Sequence, residues 1–301
     1  MKRLLLVAPL AALAAGCGGG TNGSASGDTS PQGPIGSGAR AVWFYPARGK
    51  AKSVVIFLHG YSGNSREETP VNHVAWLKHL AAQGSDVIYP RYEFGGSLNP
   101  FPDLDAGVAA ARDRLGDPGV PEVVIGYSRG GRVAVDYAAL EAAKGKEPAA
   151  VLAVFPGLSS PGEKLGPLDR LDSKTRIVMM VGDKDTGVGG VGARAILARL
   201  AQAGFPAERI QIIGVKSHGA FQATHLSVLE TGPGARDAFW KPADQLIDSA
   251  RGLHRARQVR ARLASVCHSS EVADGTRTRD HRDHNPGLYQ LSYRHRAAGT
   301  E

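Results

Sequence analysis

Gly126-Tyr127-Ser128-Arg129-Gly130 puts a serine at the centre of a G-x-S-x-G pentapeptide. Its flanks give the pattern meaning. The apolar run Glu122-Val123-Val124-Ile125 precedes it, and a small-residue, helix-forming run from Gly131 to Leu140 follows. Strand, sharp turn and helix is the setting in which such a serine becomes a nucleophile. The turn must be tight to lift the hydroxyl clear of a sheet. Glycines two before and two after it keep side chains from colliding where strand meets helix. The helix that follows aims free N–H groups at negative charge growing on a carbonyl oxygen. The chemistry is acyl transfer, provided an imidazole and a carboxylate arrive from elsewhere in the chain.

A second element lies upstream. The run Ser53-Val54-Val55-Ile56-Phe57-Leu58 ends in His59-Gly60-Tyr61-Ser62-Gly63. Together with the pentapeptide, this strand and its His-Gly turn resemble the α/β-hydrolase family. The resemblance implies an α/β-hydrolase fold, a mostly parallel central sheet flanked by helices. It also implies an oxyanion hole made of the backbone N–H groups of Tyr61 and Arg129, each donor of this kind being worth about 10²–10³ in turnover. His59 reads as a structural histidine that shapes its loop, because the family's chain order is nucleophile, acid, then base.

The acid is expected after the strand at 176–181, in Gly182-Asp183-Lys184-Asp185. The resemblance favours Asp185, with Asp183 as the alternative. Whichever is not the acid reads as a turn or cap aspartate. The base is expected after the strand at 209–215. Ala223-Thr224-His225 is similar to the small–polar–His pattern of bacterial relatives and favours His225. His218 lies nearer the strand end and is the alternative. His73 and His79 fall on an expected helix over 71–82, at solvated or half-buried positions, and receive no role.

The two ends of the chain differ from the middle. Lys2 and Arg3 precede an apolar segment over 4–15 that is too short to span a bilayer. Leu13-Ala14-Ala15-Gly16-Cys17 resembles the lipobox of bacterial lipoproteins, with leucine one place further from the cysteine than usual. This implies a signal peptide over 1–16, lipidation of Cys17, and a protein held to the cell envelope outside the cytoplasm. Plain secretion is the alternative. Residues 17–38, rich in Gly, Ser, Thr and Asn, are expected to be a flexible tether. At the other end, Ala273-Asp274-Gly275-Thr276-Arg277-Thr278-Arg279-Asp280 and Leu288-Tyr289-Gln290-Leu291-Ser292-Tyr293-Arg294 resemble the antisense translation of a transfer-RNA gene, T-arm first and D-arm second. The expectation is that 251–301 is a disordered, spurious tail, read through into a neighbouring locus. Genomic DNA with no transfer-RNA gene over these codons would refute that.

Charge is read accordingly. The net charge is +8, but the ten arginines and five acidic residues of 251–301 supply +5, and Lys2 with Arg3 supply +2. The middle is near neutral, so nucleic-acid binding is not expected of it. His281 and His284 stand without a neighbouring ligand set, and no metal or organic cofactor is expected. Cys17 and Cys267 are the only cysteines, so no disulfide within the domain is expected.

Residues 39–250 alternate strand-like and helix-like runs and are long enough for one domain. Asp103 is expected to cap a helix reaching Leu115. The segment 156–175, where relatives insert a cap, holds Pro156, Gly157, Pro161, Gly162, Gly166 and Pro167. It reads as a loop, not a helical lid. The aromatics of 92–101 either line a pocket or anchor their own loop. The leading expectation is a membrane-tethered serine hydrolase that cleaves a small-molecule carboxylic ester. Peptidase or acyltransferase action by the same triad is the near alternative. A non-catalytic surface lipoprotein of this fold is the distant one, and the set Ser128, Asp185 and His225 argues against it.

Overall fold

In the computed structural model, residues 29–61, 68–93 and 97–273 are described. Cys17 and the signal-like segment lie outside them, as do residues 274–301, which hold the two unusual tail peptides apart from Ala273. The apolar runs of the described chain form one eight-stranded sheet. The strands are β1 Gln32–Ile35, β2 Val42–Tyr45, β3 Ser53–Leu58, β4 Ser85–Pro90, β5 Glu122–Tyr127, β6 Ala150–Val154, β7 Arg176–Gly182 and β8 Ile210–Val215. Their order is β1-β2-β4-β3-β5-β6-β7-β8. The pairs β1–β2 and β2–β4 are antiparallel, and every other pair is parallel.

Strands β3, β5 and β6 read as unbroken apolar runs because both faces of the sheet are covered. Alternate residues point to opposite sides. Val55, Phe57, Val123 and Ile125 join one core with Trp76, Leu77 and Leu80 of α1 (Val74–Ala82) and with Trp240, Leu246 and Ile247 near the C-terminal helix (Lys241–Ala273). Ile56, Leu58, Val124 and Val151 join the other. Their partners there come from α2 (Phe101–Leu115), α3 (Arg129–Ala143) and α4 (Val191–Gln202). Each fully buried aliphatic side chain of these layers contributes about 1.5–3 kcal/mol. The parallel strands therefore all deliver their C-terminal ends to one rim, where open α/β sheets place their sites.

Several boundaries differ from expectation. β1 lies inside the stretch assigned to the tether: Gln32 pairs with Phe44 and Ile35 with Val42. Helix α1 starts three residues later than the apolar pattern suggests, because Pro70–Asn72 forms a tighter 3₁₀ turn. His73 is thereby turned inward, 4 % exposed. It rests on the Phe57 ring at 4.9 Å, and burial lowers its pKa to about 3. His79 is half-buried and meets Asp244 at 2.8 Å. Helix α2 begins at Phe101, with Pro102 and Asp103 in its first turn, so Asp103 is not its cap. Asp103 pairs with Arg40 at 3.0 Å instead. The segment after Phe155 is irregular apart from a short turn at Leu168–Arg170. Tyr92 and Phe101 are buried and anchor their loop.

The chain divides into two compact units, the first ending at Arg255. Arg251 belongs to the first. It donates to Ser53 Oγ at 3.0 Å, to Ser85 Oγ at 3.2 Å and to the Gln83 carbonyl at 3.2 Å. Of the second unit, residues 256–273 are described, and they are helical. No helix among the described residues is long and apolar enough to cross a membrane.

Candidate active site

The site is built outward from the end of β5. Ser128 adopts φ 56° and ψ −123°, a conformation that L-residues other than glycine rarely hold. The neighbours that hold it there are backbone groups. Ser128 N–H donates to Val154 O at 2.9 Å, and Ser128 O accepts from Gly131 N–H and Gly157 N–H, each at 2.9 Å. The pentapeptide glycines are required by contact. A Cβ on Gly126 would lie 2.1 Å from Gly130 O, and one on Gly130 would lie 2.3 Å from the carbonyl oxygens of Leu58 and His59.

His225 opens the short 3₁₀ segment His225–Leu229, beyond β8. Its Nε2 is 2.9 Å from Ser128 Oγ, and its Nδ1 is 3.0 Å from Asp185 Oδ2. The other oxygen of Asp185 accepts from Gly187 N–H at 2.9 Å and Val188 N–H at 3.0 Å. Burial pushes the Asp185 carboxyl up. The hydrogen bonds from His225 and the backbone outweigh it, and the net shift is below the usual carboxylate value. A carboxylate so held fixes the Nδ1–H tautomer and leaves Nε2 free to take the hydroxyl proton. The imidazole is packed between the rings of Tyr127, 5.1 Å away, and Phe155, 6.3 Å away. The Tyr127 hydroxyl also donates to His225 O at 2.9 Å, so the loop is fastened as well as the ring.

The alternative acid and base stand apart from this cluster. Asp183 is exposed and accepts from Ser217 Oγ at 2.6 Å and Ser217 N–H at 3.1 Å. Those bonds from Ser217 lower its pKa. His218 is exposed, pairs through its backbone with Phe221 and lies against that ring at 5.5 Å. His218 belongs to the turn that leads the chain from β8 towards His225, and Asp183, just past the end of β7, holds that turn through Ser217. The structure brings Ser128, His225 and Asp185 together and leaves Asp183 and His218 outside.

Arg129 is the first residue of α3, so its N–H is among those with no acceptor inside the helix. A Cβ on Gly157 would sit 3.4 Å from that nitrogen, so the glycine leaves room beside it. Gly60 approaches from the other side, where an added Cβ would be 3.2 Å from Ser128 Cβ. Its neighbour Tyr61 has an exposed side chain. His59 is buried with both ring nitrogens near backbone oxygens, Nδ1 at 2.7 Å from Gly60 O and Nε2 at 2.6 Å from Arg91 O. Burial lowers its pKa, and it shapes the loop.

Three contributors are not singled out by the sequence. The Tyr127 hydroxyl reaches a residue nearly a hundred positions away. Gly157 reads only as a loop residue. The Arg129 side chain is buried against the carboxylates of Glu93 and Glu163. Only Gly157 carries a local sign, as a glycine just past the end of a buried strand.

No protein-family model matches the chain, and no curated protein does. Solved structures do. Esterase B from Lactobacillus rhamnosis is 16% identical, with a TM-score of 0.54 over 73% of this chain and 84% of that one. A truncated carbohydrate esterase from gut microbiota is 14% identical, with a TM-score of 0.53 over 75% of this chain and 98% of that one. Carboxyl esterase 2 from the mycorrhizal fungus Tuber melanosporum is 15% identical, with a TM-score of 0.51 over 70% of this chain and 82% of that one. At this identity the likeness is one of fold. The chain has the α/β-hydrolase fold, a mostly parallel sheet with flanking helices.

Proposed function

We propose that this protein is a serine hydrolase that cleaves small-molecule carboxylic esters through an acyl-enzyme. The observation that carries the reading is the pair of distances at His225, 2.9 Å to Ser128 Oγ and 3.0 Å to Asp185 Oδ2. They occur at a serine held in the strained backbone of a strand-to-helix turn. Ser128 Oγ attacks the ester carbonyl while His225 Nε2 takes its proton. Asp185 orients the imidazole and balances the imidazolium charge. The N–H groups of Arg129 and Tyr61 receive the oxyanion. The imidazolium then returns its proton to the leaving alcohol. Water, deprotonated by the same histidine, releases the carboxylic acid and restores Ser128. No step calls on a metal or organic cofactor.

Esterases among the structural neighbours support ester cleavage over peptide cleavage. One of them, esterase B, was solved with a tributyrin phosphonate inhibitor. The test is hydrolysis of a short-chain nitrophenyl ester. Turnover is expected to fall by several orders of magnitude in Ser128→Ala. A fluorophosphonate is expected to label the peptide containing residue 128 and no other. Wild-type turnover in Ser128→Ala would reject the reading. The enzyme is further proposed to ride on the cell envelope through lipid at Cys17. Incorporation of labelled palmitate that is lost in Cys17→Ala supports that, and an unlabelled wild type rejects it.

A further inference from the structure

In the mechanism above, the Arg129 N–H receives the oxyanion, so whatever fixes the first residue of α3 also fixes that donor. The fixing is done by side chains. The Arg129 guanidinium is nearly buried, 10 % exposed. Its Nε donates to Glu163 Oε1 at 2.8 Å, and its Nη2 donates to the Ser97 carbonyl at 2.6 Å. It also pairs with Glu93. One turn further along, the buried Arg132 pairs with the same Glu163 oxygen and with Asp136 at 2.7 Å. The Glu163 carboxylate is wholly buried, and its second oxygen accepts from Ser160 N–H at 2.8 Å.

The loop that carries Glu163 touches the elbow a second time. Gly157 N–H donates to Ser128 O at 2.9 Å, and an added Cβ there would be 3.4 Å from Arg129 N. The loop is therefore pinned at two points to the same helix start. Buried ion pairs add little net stability relative to well-packed apolar side chains. What they impose is geometry, because a guanidinium fork accepts a carboxylate in few orientations.

We propose that Glu163 is a positioning residue for the oxyanion hole. Its carboxylate clamps Arg129 and Arg132 to the 157–163 loop and so fixes the position of the Arg129 N–H that receives the oxyanion. This rests on the serine-hydrolase reading above.

The test uses the full chain carrying Glu163→Gln, and Glu163→Asp, which keeps the charge on a shorter arm. Competent serines are first titrated to completion with a fluorophosphonate, so that kcat on nitrophenyl butyrate is expressed per reactive site. The kcat per site is expected to fall roughly 10- to 100-fold in Glu163→Gln and less in Glu163→Asp. KM should stay within about twofold, since ground-state contacts are untouched. The pH midpoint of kcat/KM should not move. Affinity for a trifluoromethyl ketone, whose adduct on Ser128 carries the oxyanion, should weaken in step with kcat/KM. A merely structural role would lower the titratable fraction and leave kcat per site unchanged. A kcat per site within about twofold of wild type in Glu163→Gln, or in Glu163→Asp where Glu163→Gln does not fold, overturns the proposal. So does a fall in kcat with undiminished affinity for the ketone. Ser128→Ala, assayed alongside, separates the two levels. If that variant turns over like the wild type, the hydrolase reading itself fails. If it is inert while the Glu163 variants match wild type, only the clamp fails.

Discussion

Asp183 and Asp185 have the same side chain two positions apart, and their surroundings give them different work. Asp185 meets the imidazole and two backbone donors, whereas Asp183 serves Ser217. Asp185→Asn should therefore lower kcat on a nitrophenyl ester by roughly 10⁴-fold, because the histidine loses its fixed tautomer. Asp183→Asn and His218→Ala should leave kcat within about threefold of wild type. The chain order of the motif narrows the acid to Asp183 or Asp185 and the base to His218 or His225, and the resemblance favours Asp185 and His225. Residue counting alone could not choose between the neighbours, because what decides is which one meets the imidazole. A different carboxylate predicts a pH effect. Asp86 is buried at the start of β4, accepts from Ala47 N–H at 2.8 Å, and has its pKa raised by burial. A raised acid binds its proton more tightly when folded, so stability is lost as pH rises from the ordinary carboxylate value, about 3.9, through the folded one. Asp86→Asn keeps the acceptor and removes the charge. Its melting midpoint should exceed wild type at pH 7, and the gain should vanish below about pH 4. A gain that persists at low pH would contradict this origin.

At the scale of elements, the site depends on loops being fastened to the ends of strands. β5 does this twice, through the turn at Ser128 and through the Tyr127 hydroxyl that holds His225 O. Tyr127→Phe removes one such bond, worth about 1 kcal/mol, and frees the base-bearing loop. The expected result is a kcat lower by about 3- to 10-fold with the pH midpoint unmoved. An unchanged kcat would mean that ring packing alone holds the histidine. This is also where sequence reading falls short. β3, β5 and β7 are visible in the sequence because two-sided burial writes long apolar runs. β1 is not, since Gln32-Gly33-Pro34-Ile35 has one apolar residue of strand type and its pairing depends on β2. His73 was misjudged because the 3₁₀ turn before α1 shifts the helical phase. Glu163 was invisible for a simpler reason: its partners lie more than thirty residues upstream, and no local pattern announces them.

Across the whole molecule, the C-terminal helix is part of the domain further along than its composition suggests. Arg251 joins the buried hydroxyls that open β3 and β4. Ending the chain after Ala250 should cost about 1–3 kcal/mol, because those groups lose a charged partner. Thermal scans of this truncation and of Arg251→Ala, each against the full chain, decide the matter. The backbone at residue 128 has its own molecule-wide effect. A serine at φ 56° and ψ −123° carries about 1–3 kcal/mol of local strain, which glycine would relieve at about 0.5–1 kcal/mol of added chain entropy. Ser128→Gly should thus melt about 2–4 °C higher while being inert, and Ser128→Ala, still confined to the same angles, should gain nothing from this source. The proposed working form would then be less durable than its own disabled copy, so selection for thermal resilience alone would erode the position on which the proposed hydrolase activity rests.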